Sequence, residues 1–266
     1  MLKKILQNFL WNLNYDLSKV YFSKDDLETL INILKPIKSS SDLIRIGNQH
    51  GDGGYLMPSD FADVKYLFSL GVGSDFSFET ELSKKKIKCF LADHSVELIT
   101  SSNINIKFTK KFIKTFNSDR SLRFETWKQE CIENTDDSLI IIKIDIEGDE
   151  YDVIKTLSDI TMKQTKFLIV EFHALTKIFS INYRNKILDS FKRLSEFFYC
   201  THIHVNNVSG VMKIDKYEIP HCMEVTFVNK KFIPEKLEYI NKFNHPLDKP
   251  NVINKPEIQL PEIFYK

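Results

Sequence analysis

Three side chains in the middle of the chain, Asp145, Glu171 and His173, are of the types that hold a divalent cation or move a proton, and each borders an apolar run. Asp145 follows LIIIKI, while Glu171 and His173 belong to LIVEFHAL. An unbroken apolar run of this length reads as a strand buried on both faces, and in open α/β sheets the carboxyl ends of such strands carry the ligand crevice. A carboxylate placed there faces a site, which points to an enzyme. Glu171 and His173 stand two positions apart, so they project to one side if the strand continues through them, and the strand ending at Asp145 is expected beside them. Two carboxylates and an imidazole at adjacent strand ends suit a divalent cation such as Mg2+ or Mn2+, which would acidify a bound hydroxyl. The other reading is a metal-free group that hydrogen-bonds internally or to a substrate.

A second set lies upstream, in SLGVGSDFSFE (69 to 79). Gly71 and Gly73, with Asp75 in the same turn, permit a tight bend and a close approach of ligand to backbone at a helix start. Phe76 takes the place of the third glycine of the dinucleotide fingerprint, which weakens a pyrophosphate reading. Asp93 then ends the next strand in CFLADHS, where an acid hydrogen-bonds a ribose diol. Together they predict an adenosine ligand without a diphosphate bridge. Downstream, His202 and His204 alternate with Ile203 and Val205 and lead into Asn206-Asn207. That polar face either meets water or offers donors and acceptors to a polyhydroxylated substrate, and His204 has the chemistry of a general base for a hydroxyl.

The elements that must position these groups follow from the hydrophobic pattern. Strands are expected near Tyr66 to Leu70, Ile87 to Ala92, Ile104 to Phe108, Leu139 to Asp145, Phe167 to Glu171, Cys200 to Val205 and Met223 to Val228, alternating with helical periods. The last two have no long helix between them and are expected to pair as an antiparallel hairpin at the edge. Residues 1–40 read as an N-terminal helical extension: Ile5, Phe9 and Leu13 make one amphipathic stripe, and Ser23 with Asp26 starts a second helix that Pro36 stops. Residues 41–232 form the main domain, and 233–266 an extended, Pro-containing arm along the body or a partner. A homo-oligomer through the helices or the arm is expected.

Composition narrows the class. The 266 residues, 42% apolar with 21 Phe, can bury a large core, and 37 basic against 36 acidic residues give a net charge of +1, which argues against nucleic acid as a partner. Cys89, Cys131, Cys200 and Cys222 are far apart with no CxxC pair, as in reduced thiols of a cytoplasmic protein. The N-terminus is too polar for a transmembrane segment and lacks a signal-peptide cleavage pattern.

Four segments, RIGNQHGDGGYLM (45 to 57), SLGVGSDFSFE, KIDIEGDEYDVI (143 to 154) and HIHVNN with IPHCMEVTFV (202 to 207 and 219 to 228), resemble the FkbM-like group of class I S-adenosylmethionine-dependent methyltransferases. The resemblance spans roughly residues 40 to 230. It implies a Rossmann-like α/β fold with a seven-stranded, mostly parallel sheet, S-adenosylmethionine as cofactor, and O-methylation of a sugar or nucleotide-linked sugar in surface-glycan synthesis. Gly71 and Gly73 would line the methionine and ribose end, Asp93 the ribose hydroxyls, His94 the adenine, and Asp145 the site edge. The GDGGY turn, with Asp52 and Tyr55, would lie near cofactor or acceptor, with His202, Asn206 and Asn207 on the acceptor side and Asp145, His173 and His204 as catalytic groups. Asp149 departs from the small residue common after the KIDIEG glycine. The competing functions are a nicotinamide-dependent sugar oxidoreductase, disfavoured by Phe76 and the lack of a Tyr-x-x-x-Lys pair, a metal-dependent glycosyltransferase using Asp145 and Glu147, and a non-catalytic cofactor-binding scaffold.

Overall fold

The computed structural model describes residues 20–97, 104–133 and 137–266. The first amphipathic helix expected from sequence, before residue 20, lies outside the described residues. Helix α1 (Lys24–Leu34) starts where the Ser23 hydroxyl accepts the Asp26 N–H at 3.3 Å, and it buries Leu27, Leu30, Ile31 and Leu34. In chain order there follow β1 (Leu43–Gly47), β2 (Gly54–Pro58), β3 (Val64–Leu70), α2 (Ser77–Lys84), β4 (Lys88–Ala92), β5 (Ile106–Thr109), β6 (Phe112–Lys114), β7 (Ser121–Arg123) and α3 (Phe124–Cys131). After these come β8 (Leu139–Ile144), α4 (Glu150–Thr156), α5 (Asp159–Gln164), β9 (Thr165–Phe172), α6 (Arg184–Phe197), β10 (Phe198–Val205), β11 (Val211–Ile214), β12 (Tyr217–Pro220) and β13 (Met223–Asn229).

Seven strands form one sheet in the order β10-β13-β9-β8-β3-β4-β5, and they are the seven expected segments, with ends shifted by about two residues at most. β3, β4, β5, β8 and β9 run parallel; β13 is antiparallel to both β9 and β10. The expected hairpin is therefore corrected in one respect. Only the last strand is reversed, because the 14-residue α6 between β9 and β10 supplies a crossover that keeps β10 parallel to the rest. The return from β10 carries only the small β11–β12 hairpin, so β13 comes back antiparallel and slots between its two neighbours.

The sheet is covered on both faces. Alternate residues of β3 and β8, such as Phe68 and Ile142, pack with α1, α3, α4 and α6 on one side, while Leu67 and Ile141 pack with Tyr55, Met57, Phe78 and Leu82 on the other. The second layer is the antiparallel β1–β2 hairpin with α2, and this hairpin was not among the expected strands. The four cysteines are unpaired, with Cys89, Cys200 and Cys222 buried. No helix among the described residues is long and apolar enough to cross a membrane.

Beyond β13 the chain runs without regular structure apart from short 3-10 turns, and it returns across the body. Leu260 and Phe264, 3% and 0% exposed, anchor the arm in the larger core cluster. Phe264→Ala is expected to cost about 3–5 kcal/mol of unfolding free energy, the range for truncating a buried Phe. Urea denaturation checks this; a loss below about 1 kcal/mol would mean that the arm does not dock.

Candidate active site

The sequence-predicted residues at the carboxyl ends of β3, β4 and β8 come together around two adjoining cavities of about 270 and 290 Å³ that share Gly71, Asp93, Ser95, Asp145 and Glu147 as walls. The first is floored by Ala92 and walled by Phe112, Ile113 and Ile146, an apolar slot with Lys114 and Asp149 at its rim, 2.8 Å apart. The second is lined by Asp52, Gly53, Tyr55, Val72, Gly73, Ser74, Asp75 and Lys143.

Gly71 lies where the chain leaves β3, at φ +72°, and a Cβ there would stand 1.7 Å from the Asp145 carbonyl oxygen. Only glycine lets the ends of β3 and β8 approach this closely. Gly73 also has positive φ, +59°, but nothing lies within 4 Å of a Cβ built on it, so the backbone there faces open space. Asp75 accepts the Ser77 N–H at 2.8 Å and the Asn48 side-chain amide at 3.2 Å, and so ties the start of α2 to the hairpin loop. Asp93 turns inward. Its Oδ2 accepts the N–H groups of Val72 and Gly73 at 3.0 and 3.1 Å, and its Oδ1 accepts the backbone and hydroxyl of Ser95 at 2.8 and 2.7 Å. Burial works against its charge, but these hydrogen bonds outweigh burial and hold its pKa below the ordinary value. Asp93 thus latches the glycine turn, a task beyond the diol contact expected from sequence. His94 packs its ring 5.0 Å from Phe112 at the slot's edge.

The groups at the ends of β8 and β9 cluster more tightly. Nε2 of His173 is 3.9 Å from Asp145 Oδ1, 3.6 Å from Glu147 Oε2 and 3.7 Å from Glu171 Oε1. Tyr55, buried against Phe78, points its hydroxyl at Asp145 Oδ2, 3.5 Å away, and the Lys143 ammonium lies 5.2 Å from its ring centre. Glu171 also receives Asn206 Nδ2 at 2.7 Å and the Cys222 thiol at 3.1 Å. It pairs in register with Glu224, and single oxygens of Asp52, Glu171 and Glu224 lie within 4.8 Å of one another. Burial pushes Glu171 up to about 8, with the charges of Asp145 and Glu224 adding to it. Burial likewise raises Asp145 to about 6 against the pull of Lys143 and His173, although 27% of its side chain faces the cavity. For His173, burial disfavours the charge but Glu150, Glu171 and Asp145 outweigh it and lift the imidazole to about 9.

Glu150 is a first-turn carboxylate, a placement ordinarily accounted for by the helix dipole alone. Instead it is fully buried at the start of α4, where Oε2 accepts the Gly148 N–H and Oε1 the His173 N–H, both at 2.7 Å. Glu147 itself takes a left-handed backbone, φ 55°, followed by Gly148 at φ 106°, so the turn after β8 is held in a sparsely populated conformation beside the cluster.

On β10 the expected acceptor contacts are corrected. His202 hydrogen-bonds Asp248 at 2.8 Å and stacks on Phe243, and Asn207 Nδ2 donates to the carbonyls of Val252, Lys255 and Pro256 at 3.0 to 3.2 Å. The polar face of β10 is thus occupied by the C-terminal arm. His204 reaches the cluster only through Glu224, whose Oε2 is 3.0 Å from its Nδ1. Burial works against its positive charge, but Glu224 outweighs that and raises its pKa. His204 lines neither of the two cavities, so the place expected for a general base is not the one it occupies. Asn206 alone of the four stays in the cluster, through Glu171. Asn251 of the arm closes the ring, donating to both Asp52 and Glu224. A strand otherwise built from apolar and β-branched residues carries Glu224, and an inward carboxylate there was the signal for a partnered site; Phe112, Cys222 and Asn251 carried no comparable signal.

No family model and no curated protein matches the chain. Among solved structures, it is similar to a mutant of the 16S rRNA (adenine(1408)-N(1))-methyltransferase from Catenulisporales acidiphilia at 9% identity, covering 70% of this chain and 98% of that one with a TM-score of 0.30. That likeness is too slight to bear on function, which has to come from the site.

The raised groups make stability depend on pH in a defined direction. Asp145, Glu171 and His173 all bind protons more tightly folded than unfolded, so their contribution is full below the unfolded values and is lost as pH rises through about 6, 8 and 9. The ion-free protein should therefore melt at progressively lower temperature between pH 6 and 9. Glu171→Gln should flatten that slope; equal slopes in thermal melts of the two proteins would remove Glu171 from the account.

Proposed function

We propose that the protein is an S-adenosylmethionine-dependent O-methyltransferase that transfers a methyl group to a hydroxyl of a sugar or nucleotide-linked sugar in surface-glycan synthesis, in the cytoplasm. One observation carries the reading. An apolar slot and a polar cavity meet over an open-faced glycine turn, and the polar side ends at a carboxylate–imidazole cluster. The slot of Phe112, Ile113 and Ile146 suits a purine, and the backbone at Gly73 leaves room for the amino-acid end of the donor. A diphosphate-bridged dinucleotide is a poorer fit, because the turn lacks the third glycine and its two amides already serve Asp93. The resemblance of KIDIEG and its companion segments points the same way, and it is what suggests a sugar acceptor.

The transfer is a direct displacement: the carbon–sulfur bond of the sulfonium breaks as the carbon–oxygen bond forms, and the acceptor hydroxyl loses its proton. Asp145 is the residue for that proton. Its carboxylate lines both cavities, and a value near 6 leaves it mostly ionised at neutral pH while more basic than an ordinary Asp. Tyr55 and His173 hold the two sides of that carboxylate. Asp52, Asn206, Glu171 and Glu224 offer the mixed donors and acceptors that a polyol needs. The groups around His173 also fit a divalent cation, which would polarise the acceptor hydroxyls when bound: His173 joins Asp145 and Glu147 in one close group and Glu171 and Cys222 in another, whereas Asp145 and Glu171 share none among the described residues.

Calorimetry with S-adenosylhomocysteine tests the donor half. Asp93→Ala should weaken binding by roughly 1–3 kcal/mol, since it frees two turn amides and removes a carboxylate from the cavity wall. Unchanged affinity in a folded Asp93→Ala protein would take Asp93 out of the donor site, and no affinity in the wild type would end the methyltransferase reading. Chelation tests the cation half: methyl transfer to a sugar panel should be lost and S-adenosylhomocysteine affinity kept. Full activity in metal-free protein would leave Asp145 and His173 as simple acid–base groups.

A further inference from the structure

We propose that the ion at the acceptor edge is held by Glu171, His173 and Cys222, a set selective for zinc or another borderline first-row ion over magnesium; this rests on the cation half of the function proposed above. Each residue offers one ligand atom, and the three atoms lie within 4.8 Å of one another. Cys222 Sγ is 3.1 Å from Glu171 Oε1, which is 3.7 Å from His173 Nε2. Ligands of a tetrahedral zinc ion, with bonds of about 2.0 Å to N or O and about 2.3 Å to S, stand roughly 3.3–3.6 Å apart, so small side-chain shifts suffice.

Ligand type decides the metal. Magnesium demands oxygen donors in an octahedron and sheds water reluctantly, whereas a thiolate with an imidazole favours zinc, cobalt or iron. One thiolate and one carboxylate neutralise a dication. Three protein ligands leave a position open for a substrate oxygen, as in catalytic zinc sites. Asp145 then stands outside the set and remains free for the hydroxyl proton.

The surroundings are built for the imidazole. Ligating histidines direct their second nitrogen at a carboxylate or carbonyl, which fixes the tautomer. Nδ1 of His173 is buried and faces the fully buried Glu150 carboxylate, 3.6 Å away. Nε2 is thereby the nitrogen turned to the cluster. Cys222 is 2% exposed and forms no disulfide, and its backbone carbonyl accepts the Asn206 N–H, so the thiol is held in place at the start of β13. Binding would replace the S–H bond by a metal–sulfur bond and release the proton to solvent.

Cobalt titration of the full-length, metal-stripped protein reads the thiolate directly. The expected result is a near-ultraviolet thiolate-to-cobalt charge-transfer band that saturates at one equivalent, is displaced by zinc and not by millimolar magnesium, and is absent in Cys222→Ser. Zinc affinity should fall at least ~10²-fold in Cys222→Ser and stay unchanged in Cys131→Ser, whose thiol lies on α3. Cobalt binding to the wild type without the band, or a band that survives Cys222→Ser, overturns the assignment of Cys222 while the cation reading stands on oxygen and imidazole ligands. Binding of none of cobalt, zinc, manganese or magnesium overturns both.

Discussion

The buried carboxylate of Glu150 holds the site together. It has no exposed surface and sits at the first position of α4, yet it accepts one N–H from the turn after β8 and one from the end of β9. The next residue, Tyr151, donates its hydroxyl to the His173 carbonyl at 2.8 Å. Both backbone groups of His173 are therefore fixed by consecutive residues of one helix. Parallel strands end without a ladder partner for their last amides, so a side chain from the following helix is a natural way to satisfy them. Here that solution also sets the spacing of Asp145 and His173, one on each side of the clamp.

With the backbone fixed, the cluster has to manage its own charge. Asp145, Glu147, Glu171 and His173 meet within a few ångströms, Glu224 and Asp52 adjoin them, and several are buried. Lys143 beneath Tyr55 is the nearest fixed cation, but it also serves the buried Glu79 at 3.5 Å. Arg45 donates to the carbonyls of Asn48 and Gly51 at 2.7 and 2.6 Å in the hairpin loop, and from there its charge offsets part of that of Glu224 and Asp52. The remaining negative charge is relieved by protons on Glu171 and His173, or by a cation in their place. Those two options are in competition, and this is the physical reason why an empty cluster titrates near neutrality and a filled one should not.

Much of this edge was legible in the residue pattern. The seven strands announced themselves as apolar runs, and the placing of Asp93 and Asp145 at their ends followed from the period alone, because a polar residue that terminates a doubly buried strand has nowhere to go but the crevice. Gly71 and Gly73 were legible as a turn, though not as two different turns, one pressed on Asp145 and one facing open space. The failures share a cause. Glu150 looks like an ordinary first-turn acid, His202 and Asn207 like substrate ligands, and Cys222 like a structural thiol, since local spacing says nothing about a partner 23 or 45 residues away. Strand direction failed for the related reason that α6 and the β11–β12 hairpin decide it jointly.

The arm changes how the acceptor side is closed. Asp248, Val252, Lys255 and Pro256 take up the polar groups of β10, and Asn251 alone extends past them to Glu224 and Asp52. Under the proposed function, water must be kept from the acceptor oxygen's place during methyl transfer. The β1–β2 loop covers one side of the cluster with Asp52 and Gly53, and the arm meets it there, with the Asn251 carbonyl 3.6 Å from a Cβ built on Gly51. Two segments distant in sequence thus form one wall, bridged by the Asn251 side chain and lying close at Pro250, Asn251 and Ile253. The edge they close is polar, bordered by the carboxylates of Asp52 and Glu224. Under the proposed function, a polyol would have to share or displace the Asn251 amide that already bridges Asp52 and Glu224, so hydrogen-bond geometry rather than apolar fit would decide which acceptor enters.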